Sequence, residues 1–251
     1  MQHVDLNCDM GEGIGNDEQL MPYITSANIA CGYHAGDAET MMQTLQLCKQ
    51  FRVAAGAHPS FPDRANFGRL EMSCTPVEVY QWVQLQVQAL QLLASQLDIN
   101  LVHVKPHGAL YNQAAREQQL AAAIAQAVKD IDPHLIVVGL SGSYLITEAE
   151  TLGLTTASEV FADRTYQDDG SLTPRTQPGA LIEEEAASIQ QVLQMVKQGS
   201  VMALSGKDVP LKAETICLHG DGIHATRFAK ALRKTLESEG ITIQSLQKAP
   251  L

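Results

Sequence analysis

The chain has 251 residues, 45% of them hydrophobic, which is enough to bury one sizeable core in a single domain over residues 1–251. Its 17 Lys and Arg stand against 28 Asp and Glu, and the net charge of −11 argues against nucleic acid and anionic membranes as partners. The longest purely aliphatic run, residues 135–138, predicts neither a signal peptide nor a membrane span. Five cysteines without a C-x-x-C spacing predict reduced thiols in a cytoplasmic protein.

Short apolar runs alternate with helix-length periodic segments along the chain. The predicted strands are about 2–7, 26–31, 53–57, 101–105, 135–140, 155–160, 200–204 and 215–219, with a weak last one near 241–245. The predicted helices are about 37–51, 76–97, 114–130, 142–152, 179–198 and 222–239. The clearest start is Thr75-Pro76-Val77-Glu78, a capping box with proline in the first turn.

Alternating strands and helices favour a parallel sheet covered by helices. Seven or eight such units favour a TIM-like (β/α) barrel, seven-stranded and irregular, over an open doubly wound sheet, which stays as the alternative. The longest irregular segment, 161–178, is polar, contains Gly and Pro, and follows a predicted strand. Loops of this length in a compact domain are usually functional, so we expect it to border a site.

The first strand carries three polar residues at alternate positions. Asp5, Asn7 and Asp9 therefore share one face. A buried carboxylate without a partner is very costly, so this row predicts a face that lines a site. Glu12 follows between two glycines, which free the backbone for a sharp turn. The alternative is an edge strand with a solvated face that leads into a glycine-rich turn.

Later strands also carry reactive side chains, in the strand or in the loop that follows it. The residues in these positions are Asn28, His34, His58, Lys105, His107, Glu159, Arg164, His219 and Asp221. A single buried histidine is usually a core residue whose ring nitrogens are hydrogen-bonded. Several at equivalent positions are better explained by one pocket, because the C-terminal strand ends of a βα barrel meet on one face.

A pocket with carboxylates, imidazoles and cations suits general acid–base catalysis, in which the cations stabilise a developing oxyanion or a phosphate. Asp9 or a strand-end histidine is the candidate base, His107 the candidate acid, and Lys105 and Arg164 the candidate cations. Carboxylates and imidazoles also bind metals, and Asp9, His34 and His58 form the candidate metal set. The spacing does not require a metal, since the sequence has no H-E-x-x-H motif.

No phosphate-binding motif is present. The segment 199–207 resembles a P-loop, but six residues separate its first glycine from Gly-Lys, and Asp208 replaces Ser or Thr. If the protein uses ATP, the sequence does not mark where the nucleotide binds.

Six motifs in order resemble the LamB/YcsF family. They are Asp5 to Glu12 (DLNCDMGE), Asn28 to Asp37 (NIACGYHAGD), Gly56 to Asp63 (GAHPSFPD), Val104 to Asn112 (VKPHGALYN), Glu159 to Arg164 (EVFADR) and Leu218 to Gly222 (LHGDG). The sequence departs from the common pattern at Tyr33, where Phe is usual, and at Ala38, where Pro is usual.

The resemblance implies a barrel related to the glycoside hydrolase/deacetylase superfamily. It also implies the A subunit of a 5-oxoprolinase, which opens the 5-oxoproline lactam to L-glutamate with ATP and Mg²⁺ and works with separate B and C subunits. The resemblance leaves open whether the chain also forms a homo-oligomer.

On this reading the candidate residues divide into two sets. The catalytic set is Asp9, His34, His58, Lys105, His107, Glu159 and Arg164. The substrate-binding set is Asp5, Asn7, Glu12, Asn28, His219 and Asp221. Two alternatives remain: a metal-dependent amide hydrolase or deacetylase that needs no ATP, and a non-catalytic substrate-binding subunit.

Overall fold

The computed structural model describes residues 2–218 and 225–247. Its strands are β1 (His3–Met10), β2 (Ser26–Ala30), β3 (Ala54–His58), β4 (His103–Val104), β5 (Ile136–Leu140), β6 (Thr156–Phe161), β7 (Ser200–Met202), β8 (Asp208–Pro210), β9 (Thr215–Leu218) and β10 (Thr242–Ile243). Its α-helices are α1 (Asp17–Leu20), α2 (Ala38–Phe51), α3 (Pro76–Ser95), α4 (Gly108–Arg116), α5 (Gln118–Ile131), α6 (Tyr144–Thr151), α7 (Glu185–Gln198) and α8 (Ala225–Ser238).

Strands β1 to β6 and β9 form a closed barrel of seven parallel strands. The ring closes where β1 pairs with β9, with Asp5 opposite Thr215. This confirms the predicted TIM-like barrel and excludes the open sheet. Helices α3, α5 and α6 pack side by side around the outside, as expected for strands joined by helical crossovers.

The predicted strand at 200–204 forms as β7 but lies outside the barrel. It pairs antiparallel with β8, with Val201 opposite Val209. Strand β6 already pairs directly with β9 through Glu159 and Thr215. The ring therefore has no position left for β7, and the β7–β8 pair forms a separate two-stranded sheet.

Two helix predictions need correction. The helix predicted at 114–130 forms as α5 but begins only at Gln118, since residues 114–116 belong to α4 and the break falls at Glu117, whose backbone is extended at φ −115° and ψ 99°. The helix predicted at 179–198 begins only at Glu185, because Leu181 forms a bridge with Arg164 instead. Of the helix predicted at 222–239, residues 222–224 lie outside the described residues, and α8 covers residues 225–238.

The capping box at the start of α3 is confirmed. The Thr75 backbone N–H donates to Glu78 Oε2 at 2.8 Å, and the Glu78 N–H donates to Thr75 Oγ1 at 3.3 Å. These bonds satisfy two backbone donors that a helix start leaves unpaired. They fix where the longest described helix begins.

Alternate residues of β1 face opposite sides of the barrel wall. Leu6 and Cys8 belong to the apolar layer under the helices, and both are fully buried. Asp5, Asn7 and Asp9 occupy the other face and hydrogen-bond to residues of other strands. The apolar core therefore lies between the strands and the helices, whereas the barrel interior is polar. No helix within residues 2–218 or 225–247 has the length and apolar character of a membrane span.

The last described residues pack against the N-terminal end of the barrel. Strand β10 pairs with the start of β1, with His3 opposite Thr242. Leu246 then packs against Ile136 and Val138 of β5. The loops that follow β1 to β6 lie at the opposite, C-terminal end.

Candidate functional site

Three histidines meet at the C-terminal end of the barrel. His58 ends β3, His107 precedes α4, and His34 lies in the loop between β2 and α2. The rings of His34 and His107 stack with centroids 3.8 Å apart, and His58 meets both edge-on. All three are buried. The structure therefore brings together three of the histidines that the sequence assigned to one pocket.

Two backbone carbonyls fix the tautomers of this cluster. His58 Nδ1 lies 2.7 Å from the Lys105 carbonyl oxygen, and His107 Nε2 lies 2.9 Å from the Phe67 carbonyl oxygen. A carbonyl oxygen only accepts, so both of these nitrogens carry hydrogen. In the neutral rings, His58 Nε2 and His107 Nδ1 are then lone-pair acceptors, and they face each other at 3.0 Å.

Glu12 reaches the same cluster from the loop after β1. Its Oε1 lies 3.2 Å from His34 Nε2 and 3.4 Å from His107 Nδ1. The turn that brings it there uses positive φ at Gly11 (+71°) and Gly13 (+82°), a conformation that glycine adopts without strain. Burial and the nearby charge of Asp9 raise the pKa of Glu12 to about 7.

Glu12 and the three histidines offer four potential metal-ligand atoms within 4.8 Å of one another. This cluster keeps His34 and His58 of the predicted metal set and adds Glu12 and His107. Asp9 of the predicted set is next to the cluster, with Oδ2 3.2 Å from His58 Nε2.

A second cluster surrounds Lys105, deeper in the barrel. Lys105 Nζ lies 2.9 Å from both Asp9 Oδ1 and Glu159 Oε1, 3.2 Å from Asn7 Oδ1 and 3.2 Å from Cys217 Sγ. Lys105 and Glu159 are almost completely buried. Burial alone would lower the pKa of Lys105, but the surrounding negative groups outweigh it and hold the pKa well above its usual value. The lysine is therefore a fixed positive charge.

Asp9 joins the two clusters. One carboxylate oxygen faces Lys105 and accepts from Asn28 Nδ2 at 2.8 Å, and the other faces His58. Burial alone would raise the pKa of Asp9, but His58 and Lys105 outweigh it, so the pKa lies well below its usual value. Asp9 is the more open partner of Lys105, with 16% of its side chain exposed against 0% for Glu159.

Below Lys105, the polar network continues through the barrel. Asn28 donates to Asn7 Oδ1, and its own Oδ1 lies 2.7 Å from His103 Nε2. Asp5 lies lower still and accepts from the hydroxyls of Thr25, Ser26 and Thr215. Burial raises the pKa of Asp5. Of the predicted substrate-binding residues, Asp5 is thus placed in the interior network and not beside the histidines.

Arg164 holds the segment after β6. Its Nη2 donates to the Thr173 carbonyl at 2.5 Å and its Nε donates to the Ala180 carbonyl at 3.3 Å. Burial lowers the pKa of its guanidinium to about 10, so it remains charged at neutral pH. These contacts tie the irregular segment to the barrel. The catalytic role assigned to Arg164 stays a prediction, and His219 and Asp221 lie outside the described residues.

Sequence reasoning missed three residues of the site. His103 lies two positions before Lys105 and shares its inward face, a signal that period-two alternation contains. Cys217 faces Lys105 from β9. Tyr111 follows His107 by one helical turn, and its buried hydroxyl has no hydrogen-bond partner in the described residues. Burial and the charge of Glu159 raise the pKa of Tyr111 well above its usual value.

Comparison with known proteins gives three consistent findings. The model of the LamB/YcsF family matches residues 4–250. A Brevibacillus brevis protein, named as the A subunit of 5-oxoprolinase, is 51% identical over 97% of this chain and 98% of its own length. The crystal structure of a lactam utilization protein from Thermus thermophilus superposes with a TM-score of 0.91 at 41% identity, covering 98% of this chain and 100% of that one.

More distant structures share the fold alone. The structure described as T48 deacetylase with substrate has a TM-score of 0.53 at 12% identity, covering 96% of this chain and 87% of that one. This likeness is one of fold.

Proposed function

The chain belongs to the LamB/YcsF family, and from this premise we propose that it is the A subunit of a 5-oxoprolinase, which opens the lactam of 5-oxoproline to L-glutamate with ATP. The observation that carries the proposal is the buried Asp9–Lys105–Glu159 array beside the histidine cluster. It is supported by relatives at about half identity that are named for this subunit. A lettered subunit implies partners in a complex, and we propose that these are the B and C subunits.

The chemistry needs activation, because a five-membered lactam is a stable amide with a poor leaving group. Phosphorylation of the carbonyl oxygen by ATP makes the ring carbon electrophilic. Water adds to that carbon, the C–N bond breaks, and the ring nitrogen takes a proton. The acyl phosphate that remains is cleaved by a second water, so the products are glutamate, ADP and phosphate.

Lys105 is positioned to stabilise the negative charge that develops when water adds to the ring carbon. Its ammonium is held by Glu159 on one side and Asp9 on the other, so it needs little reorganisation as the charge forms. Glu159 is a positioning residue, since it is fully buried and acts through Lys105. Oriented charges in a water-poor site stabilise a transition state far better than the same charges in water.

Asp9 is the group best placed to move protons. Its low pKa keeps it ionised, and a weak base suffices when phosphorylation has already activated the carbon. After it accepts a proton from water it can pass that proton to the departing nitrogen. His107 is less suited to be the acid, because burial and His58 hold its pKa well below its usual value.

Omitting each component in turn tests this proposal. Glutamate release from 5-oxoproline should require this chain, the B and C subunits and ATP together. The purified chain alone should show little or no turnover, since its sequence has no phosphate-loop motif. Full ATP-dependent turnover by the isolated chain would contradict the proposed requirement for the B and C subunits. Turnover by the isolated chain without ATP would contradict the reaction itself.

The four-ligand cluster of Glu12 and the three histidines favours a second candidate, a metal-dependent amide hydrolase that needs no nucleotide. Under that function, activity would survive removal of ATP and be lost on treatment with a chelator. Under the first proposal, removal of ATP alone abolishes turnover.

A further inference from the structure

His58 Nε2 and His107 Nδ1 lie 3.0 Å apart, and both are acceptors when the two rings are neutral. Each ring already donates its other N–H to a backbone carbonyl, of Lys105 and Phe67 respectively. Two acceptors at this distance repel unless a proton or a cation lies between them. The tautomers therefore leave a place for positive charge in the centre of the cluster.

The spacing of the neighbouring atoms fits a metal ion. Tetrahedral zinc with bonds of roughly 2.0–2.1 Å separates its ligand atoms by about 3.3 Å. The contacts here are 3.0 Å between His58 and His107, 3.2 Å between Glu12 and His34, and 3.4 Å between Glu12 and His107. No pair among the four ligand atoms exceeds 4.8 Å. The three contacts therefore lie close to the separation that tetrahedral zinc requires.

Hydrogen bonds also fix two of the histidine rings in the way that is common for metal ligands. A ligating imidazole commonly donates its second N–H to a carbonyl or a carboxylate, which fixes the ring and its tautomer. His58 and His107 both meet this condition. His34 lacks this second hydrogen bond in the described residues, and its ring must turn out of its nearly parallel stack on His107 to direct a nitrogen at the same ion.

We propose that Glu12, His34, His58 and His107 bind one divalent transition-metal ion, with Zn²⁺ as the ion that best suits three imidazoles and one carboxylate. Asp9 is outside this ligand set and provides a second negative charge 3.2 Å from His58 Nε2. With the three histidines neutral, the two negative charges of Glu12 and Asp9 balance the two positive charges of the ion.

The site deepens the proposed function, on which its catalytic meaning rests, but metal binding is measured without any lactam. The full chain is stripped with chelator and titrated with Zn²⁺ against a chromophoric competitor, and bound metal is counted by mass spectrometry. We expect one Zn²⁺ per chain. Separate His34→Gln, His58→Gln and His107→Gln variants should each lower the affinity at least about 100-fold, more than is typically lost when only a hydrogen-bond partner of a ligand is removed.

His134→Gln is the matched control, because His134 is exposed and lies on the loop before β5, at the N-terminal end of that strand. It should leave zinc affinity unchanged. Circular dichroism of each variant shows whether it folds. Replacing Zn²⁺ by Co²⁺ in the wild-type chain adds a spectroscopic readout, since tetrahedral nitrogen–oxygen coordination has intense visible absorption that the three histidine variants should lose.

A folded wild-type chain that binds neither ion would overturn the site and indicate a shared proton between His58 and His107. Zinc binding that persists in all three histidine variants would overturn it as well. Glutamate release by the reconstituted complex, measured in the same preparations, separates the two proposals. Turnover without bound metal rejects the metal site alone, and stoichiometric metal without ATP-dependent turnover rejects the 5-oxoprolinase reaction alone.

Discussion

The imidazole of His103 fills the space that a side chain on Gly56 would need. A Cβ built on Gly56 would lie 2.2 Å from His103 Nε2, well inside van der Waals contact. The two residues pair across β3 and β4, and His103 is fully buried. The glycine therefore makes room for the ring that hydrogen-bonds to Asn28.

Gly56→Ala should consequently destabilise the barrel, by about 1–3 kcal/mol as for other overpacked cores. Urea unfolding monitored by circular dichroism measures the loss. The double variant Gly56→Ala/His103→Ala should recover part of it, because the smaller side chain removes the clash. A double variant that is no more stable than Gly56→Ala would show that the clash is not the cause.

Lys105→Met should lower turnover of the reconstituted complex roughly 10²–10³-fold, the scale of losing one preorganised donor. It should also cost about 3–5 kcal/mol of stability, because it leaves the fully buried Glu159 carboxylate without its cation. Denaturant unfolding and glutamate release measure the two effects separately.

The double variant Lys105→Met/Glu159→Gln separates these roles. Neutralising Glu159 should restore most of the stability without restoring turnover. If the double variant also regained activity, Lys105 would only be balancing buried charge.

Glu78→Ala should destabilise the chain at neutral pH through loss of the capping box. The hydrogen bonds from Thr75 lower the pKa of Glu78 below 4.5, so its stabilising effect is present above that pH and is lost as the pH falls through the lowered value. The melting temperatures of wild type and variant should therefore converge in acid. Glu183→Gln, an exposed residue in the loop before α7, is the control and should show no such convergence.

Arg164→Met should loosen the segment after β6, because two backbone carbonyls lose their charged donor. Hydrogen exchange is expected to rise in residues 165–180 while β1 to β5 stay protected. If turnover falls and exchange does not change, Arg164 acts on the substrate as the sequence predicted, and its loop contacts are incidental.

The barrel was predictable because seven or eight units of strand and helix alternate along the chain, and the polar face of β1 was predictable from its alternation of apolar and polar residues. Asp5, Asn7 and Asp9 can share a face only if that face is satisfied, and closing the ring supplies their partners. The α4–α5 break was not predictable, because Glu117 is neither Gly nor Pro and the helical period runs through it.

The membership of the site was easier to predict than its geometry. The positions of Lys105 and His107 at a strand end were sufficient to place them in a pocket. That Glu12 rather than Asp9 completes the four-atom cluster depends on the glycine turn after β1, which sequence spacing does not define.

The contact between β1 and β9 that closes the barrel can form only late in synthesis of the chain. Asp5 accepts a hydrogen bond from Thr215, 210 residues later in the chain. At a ribosomal rate of roughly 5–20 residues per second, the first strand waits about 10–40 s for its second neighbour. Through that interval the nascent chain has an open sheet edge at β1. We therefore expect chaperones to bind the N-terminal half of the nascent chain.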